Sequence, residues 1–144
     1  MIHNITYRTF VYSTEDEEKV TDAISYIFFE PSPVREVNED HFGNKIIVLS
    51  EKISKKRSTR SIASFLNDNL SIDDKNTIKE ELSRRMDEKG NLFLRFDKQE
   101  AYDQKLKLTY SGDAIHMRIK IASYPVSKEN ALKVACKIFD FLDE

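Results

Sequence analysis

The stretch Leu106-Lys-Leu-Thr-Tyr-Ser-Gly-Asp-Ala-Ile-His-Met-Arg-Ile-Lys-Ile121 alternates apolar and polar residues on both sides of Ser111-Gly112. A pleated strand turns successive side chains to opposite faces, so this pattern marks strands with one face in a core and the other in water. The two runs must put their apolar sides on the same sheet face. A two-residue loop at Ser111 and Gly112 does so by setting Leu108 opposite Ile115 and Leu106 opposite Met117. The polar side then carries Lys107 opposite His116 and Lys105 opposite Arg118, with Thr109 and Lys120 continuing it. An antiparallel sheet with one covered face is the frame this predicts.

Working outward, Leu92, Leu94 and Phe96 alternate in the same way, and Lys98 to Tyr102 reads as a short connection. Ile2 to Tyr12 is a further strand, with Ile5, Tyr7 and Val11 on one side and Thr6, Arg8 and Phe10 on the other. Thr14 followed by Glu17 forms a capping box before Val20, Ala23, Ile24, Ile27 and Phe28, which repeat at helical spacing. Pro31 and Pro33 stop that helix, and Val34 to Val37 and Lys45 to Leu49 form a hairpin through the turn at Gly43. Ser58 and Ser71 are placed to cap two helices, the second ending at Gly90, and a last helix follows Ser127. The fold class is therefore α+β: a mostly antiparallel sheet of five to six strands with helices packed on one face. No linker or repeat interrupts it, so residues 1–144 are expected to form one domain with a helical insertion at about 58–90.

A chain of 144 residues with 40% hydrophobic and 33% charged residues is long enough to bury a core without disulfides or metal. The single cysteine, Cys136, has no partner for an internal disulfide, which points to a reducing, cytoplasmic setting. Apolar runs such as Ile46 to Leu49 fall far short of the roughly 20 residues that span a bilayer, so no membrane partner is expected.

Charge is unevenly spread. The net charge is −2 and the isoelectric point about 6.0, yet Lys45 to Arg60 holds six basic residues against Glu51 alone. Within it, Lys55, Lys56 and Arg57 are interleaved with hydroxyl residues, a combination suited to phosphate contacts and equally to a solvated loop. Five acids against one lysine fill Glu15 to Asp22, where the first turn of a helix favours negative charge. On the sheet, like charges opposite one another repel, and an anionic ligand would relieve that repulsion at Lys105, Lys107, Arg118 and Lys120. Arg8 and Arg95 extend the same surface if their strands are neighbours. Exposed strand lysines also discourage edge-to-edge aggregation, the ordinary reading of the same residues.

Catalytic patterns are weak. His3, His41 and His116 stand on separate elements without metal-ligand spacing, Cys136 lies beside a helical apolar stripe, and Asp97, Glu100 and Asp103 are the acids of an ordinary strand end. Three glycines build no phosphate loop. The chain is expected to be no enzyme, with no cofactor and no metal.

The segments Tyr7-Arg8, Thr14-Glu15-Asp16-Glu17, His41-Phe-Gly-Asn44, Arg95-Phe-Asp-Lys-Gln-Glu-Ala-Tyr102 and Ala114-Ile-His-Met-Arg-Ile-Lys120, in this order, resemble an archaeal RNA-binding domain family described as predicted exosome subunits. This chain departs from the family's pattern at Phe42, where a small or polar residue is expected, while the Gly43-Asn44 pair is intact. The resemblance implies a fold similar to the ribosomal protein that holds the smallest ribosomal RNA. It implies RNA as the partner, with an RNA-processing complex as a further one, and adds Asn44, Arg95, Lys98, Gln99 and Tyr102 to Arg8, Arg118 and Lys120 as backbone-contacting or stacking groups. The alternative is a protein-interaction subunit of such a complex that does not itself touch RNA.

Overall fold

The computed structural model describes residues 1–142. Strand β1 (Ile2–Val11) is followed by α1 (Glu17–Ile27), the hairpin β2 (Val34–Glu39) and β3 (Lys45–Ile53), helices α2 (Lys56–Asn69) and α3 (Ile72–Arg85), then β4 (Asn91–Asp97), α4 (Lys98–Tyr102), β5 (Ala114–Ile121) and α5 (Lys128–Ile138), with a 3-10 turn at Asp140–Leu142. The strands form one antiparallel sheet in the order β2-β3-β1-β5-β4, so the class is α+β with five strands. No helix among the described residues is long and apolar enough to cross a membrane. The chain divides into two compact units, and β1, β3, β4 and β5 each contribute residues to both.

The first unit comprises Met1–Ile5, Ile53–Leu94 and the chain from Arg118 onward. Helix α2 opens at Lys56 with Lys55 at its cap and no side-chain hydrogen bond there, so Ser58 lies inside the first turn instead of capping it. Ser71 does cap α3, its hydroxyl accepting from the Asp74 N–H at 3.1 Å. The helix ends at Arg85, short of the expected Gly90. Gly90 belongs instead to a turn in which the Asp87 carboxylate accepts from the Lys89 and Asn91 N–H groups, each at 2.9 Å, and from the Asn91 amide at 3.0 Å. Its φ of +83° is the left-handed conformation that glycine tolerates, and a Cβ there would meet the Ala131 Cβ at 3.3 Å. Ile62, Leu66, Ile78, Leu92, Ile119, Ala131, Ala135 and Phe139 are buried, the apolar stripes of α2 and α5 among them.

The second unit comprises Thr6–Lys52 and Arg95–Met117. Tyr7, Thr9 and Val11 of β1 are buried, and Tyr7 stacks on Phe28 with ring centroids 4.3 Å apart while donating its hydroxyl to Glu51 at 2.8 Å. Full burial of an aromatic side chain such as Phe28 stabilises by about 1.5–3 kcal/mol. The cap of α1 is Asp16, which accepts from the Glu18 N–H at 3.0 Å, and the Thr14–Glu17 capping box does not form. Glu17 pairs with Arg35 at 3.0 Å. The β2–β3 hairpin sets Val37 against Ile47 and Glu36 against Val48, and all of β2 is exposed at the sheet's edge.

The largest departure from expectation is the hairpin at Ser111-Gly112. Lys98 to Tyr102 is a helical turn, and after it Gln104, at φ +56°, sends the chain back along β4. Leu108 bridges Phe96, the Asp97 N–H donates to the Lys107 carbonyl at 2.8 Å and the Thr109 N–H to the Arg95 carbonyl at 2.9 Å. Lys105 and Lys107 therefore lie beside β4, not opposite Arg118 and His116 of β5. Leu106 and Leu108 still turn inward, 8% exposed each. Alternation settles the face a residue takes and leaves the neighbour open.

Candidate nucleic-acid interface

In the second unit the buried residues of β1 alternate with Arg8 and Phe10 on the open face, and the same alternation places His116 of β5 and Arg95 of β4 there. The sheet order β1-β5-β4 makes these neighbours across three strands. Burial holds the His116 imidazole below its ordinary pKa, and the charges of Arg95 and Arg8 depress it further. The two guanidiniums thus impose an uncancelled positive field: neither has a carboxylate partner among the described residues. The Arg8 guanidinium lies over the Phe10 ring, 5.6 Å from its centroid, and Phe10 stacks on Tyr12 at 6.2 Å. Arg95 is steadied by donating to the Tyr110 carbonyl at 2.8 Å. Lys107 stands on the exposed side of the segment beside β4, and Lys105 is exposed at its start. The arrangement offers fixed cations beside a flat aromatic surface, the two elements that hold phosphates and bases.

Lys98 has another place. Its side chain is wholly buried, and its three ammonium protons meet three acceptors: the Phe10 carbonyl at 2.7 Å, Glu15 at 2.7 Å and Asp113 at 2.9 Å. It is closed to any ligand, contrary to the expected surface role. Tyr102 donates to the other Glu15 oxygen at 2.6 Å, and burial together with that carboxylate raises its phenol pKa. Burial alone would raise the Glu15 carboxyl, but hydrogen bonds from Lys98, Tyr102 and the Tyr12 N–H outweigh it and hold the group below its usual range. Asn44 is likewise committed: Asp40 accepts from its N–H at 2.9 Å and its amide at 3.2 Å, closing the hairpin turn. Gln99 is exposed on α4.

In the first unit, Lys55, Lys56 and Arg57 are exposed where α2 begins, Lys55 at the cap and Lys56 and Arg57 in the first turn of the helix. Arg118 is exposed on β5. The Lys120 ammonium is turned to the Lys89 carbonyl and acts on Asp87, so it is engaged within its own unit. Sequence reasoning placed His116 on the polar face without assigning it a part, and passed over Phe10. The alternation that named Arg8 carried the signal for both.

Residues 4–121 match the family described as RNA binding. A Pyrococcus abyssi protein named RNA-binding protein PAB1135 is 37% identical over 137 residues, covering 91% of this chain and 89% of its own length. An uncharacterised protein of Methanocaldococcus jannaschii, MJ0213, is 31% identical, covering 92% of this chain and 94% of that one. Among solved structures, Mth689, a DUF54 protein from Methanothermobacter thermautotrophicus, superposes with a TM-score of 0.84 at 40% identity, over 96% of this chain and 98% of its own.

Proposed function

The chain belongs to this RNA-binding family, and from that premise we propose that it binds RNA without catalysis through the open sheet face of its second unit. The observation that carries the reading is the strip of Arg8, His116 and Arg95 on neighbouring strands, whose positive field no carboxylate offsets among the described residues. The guanidiniums take phosphate oxygens, Lys107 and Lys105 extend the positive border, and Phe10 beside Arg8 supplies a ring for an unstacked base. Recognition is by shape and backbone charge.

A salt series with a fluorescent structured RNA and with duplex DNA tests this. RNA affinity should fall linearly on logarithmic axes as salt rises, and Arg8→Ala should reduce the slope by about one. A slope identical in wild type and variant would exclude Arg8 from the interface.

Proton linkage offers a second check. His116 titrates below its ordinary pKa in the free chain, and RNA phosphates beside it would raise that value, so binding takes up a proton. Affinity should increase as pH falls from about 7.5 to about 5.5, and the increase should vanish in His116→Gln. In the free chain the sign is opposite. A histidine with a depressed folded pKa adds stability above its unfolded value of 6.5 that is lost as pH falls below it.

We place this activity as an accessory to RNA processing, in an exosome-like assembly, or to ribosome assembly, in a reducing cytoplasm. The family resemblance and the single cysteine support that setting. A protein-interaction reading is favoured by one feature: β2 is an edge strand exposed on both faces, with Val34 and Val37 open to water.

A further inference from the structure

We propose that the cleft between α2 and the end of α5 holds a nucleotide phosphate monoester, either a free mononucleotide or the terminal nucleotide of an RNA. The cleft lies wholly within the first unit and encloses about 370 Å³, near the lower end of the roughly 300–1,000 Å³ typical of small-ligand sites. Three cations border it: Lys56 and Arg60 from α2 and Lys137 from α5. Ile2, Ala63 and Ile138 supply apolar lining, and no carboxylate among the described residues lines the space.

None of the three cations forms an ion pair among the described residues. Lys56 and Arg60 stand four residues apart on one helix flank, where like charges repel. The same end of α2 has no acidic residue in its first turn and no side-chain cap, so the positive end of its dipole adds to the repulsion. A phosphate monoester, with a charge near −2 and three acceptor oxygens, would relieve all of these terms together. Arg60 offers a two-pronged donor to two of those oxygens, and the lysines act as point charges. Inorganic phosphate alone would leave the apolar lining uncovered. A flat base satisfies it, which is why a nucleotide is the occupant named.

Calorimetric titration with AMP, adenosine and inorganic phosphate at low salt tests the site. AMP should bind saturably, and adenosine at least about tenfold more weakly, because the charged contacts dominate. The variant Lys56→Ala/Arg60→Ala/Lys137→Ala should lose at least about tenfold in AMP affinity, while Lys133→Ala, which removes a charge from α5 outside the cleft, should not. Lys137→Ala alone gives the same direction if the triple variant fails to fold by circular dichroism. A 5′-phosphorylated oligoadenylate that displaces AMP identifies RNA ends as the source, and one that does not identifies free nucleotides. Either result follows from saturable AMP binding and supports the proposal. No saturable AMP binding, adenosine binding as tightly as AMP, or undiminished binding by the charge-deleted variants would overturn it. These readouts are separate from the RNA salt slope of Arg8→Ala, so the cleft and the sheet face fail independently.

Discussion

Replacing Lys98 by alanine is expected to lower the thermal unfolding midpoint by roughly 10 °C, the effect of about 3 kcal/mol on a chain of this size. The reason is the asymmetry of buried charge. With the ammonium in place its three protons meet three acceptors, and both carboxylates have a cationic partner. Without it, Glu15 and Asp113 face each other's charge in a partly dry setting and the Phe10 carbonyl loses its donor. Both acids keep some contact with water, 15% and 29% exposed, which holds the figure at about 3 kcal/mol, the lower end of the range for a broken buried pair. Lys98→Met fills the space and leaves the acids uncompensated, so it should be nearly as harmful. Adding Glu15→Gln to Lys98→Met should recover part of the loss, a coupling that a double-mutant cycle measures. A Lys98→Met chain as stable as wild type would show that the ion cluster contributes nothing net. Acid titration gives the same information from another side. Glu15 has a folded pKa below its usual value, so its contribution is present above the unfolded pKa and disappears as pH falls through the folded one. That acid limb should flatten in Lys98→Met/Glu15→Gln.

Reversing both arginines of the sheet strip, Arg8→Glu with Arg95→Glu, is expected to weaken RNA binding by roughly 100-fold or more at low salt. Two attractive phosphate contacts are lost and two repulsive ones take their place, both beside His116. The same reversal should raise the His116 pKa, because the positive charges that now depress it would be replaced by negative ones. Proton resonance titration of that imidazole therefore shows that the field has changed, whatever the RNA does. Neither arginine packs in the core, so the circular dichroism spectrum should be preserved. RNA affinity within about threefold of wild type, with the imidazole shifted as expected, would exclude the strip as the RNA site.

The sequence disclosed faces more readily than neighbours. Ile5, Tyr7 and Val11 are buried and Arg8 is open, as the alternation along β1 required. Leu106 and Leu108 turn inward as their spacing demanded, yet they run beside β4, because any strand with a matching apolar face satisfies the same pattern. Lys107 consequently reaches the expected face by an unexpected route. Lys98 was not legible at all. Its partners Glu15 and Asp113 are remote in sequence, and a lysine after a strand has the local signature of a surface cation. The role of Asn44, in contrast, was within reach. Asp40-His-Phe-Gly-Asn44 and Asp87-Glu-Lys-Gly-Asn91 share one pattern, and in both the aspartate accepts from the asparagine amide to close a turn around a left-handed glycine. The cleft beside α2 depended on Lys137, which no local pattern joins to Lys56 and Arg60.

The position of β1 between β3 and β5 has a consequence in time. This strand is synthesised before its partner β5, which ends at Ile121, and the Met1 carbonyl receives the Ala122 N–H. One edge of the sheet's central strand therefore has no partner until β5 has been synthesised. Helices α2 and α3 are free to form in the meantime, whereas the pairing of β1 with β5 carries the loop-closure entropy of a long separation. Closure of the sheet accordingly waits for a strand distant in sequence, which slows folding relative to a fold built from local contacts.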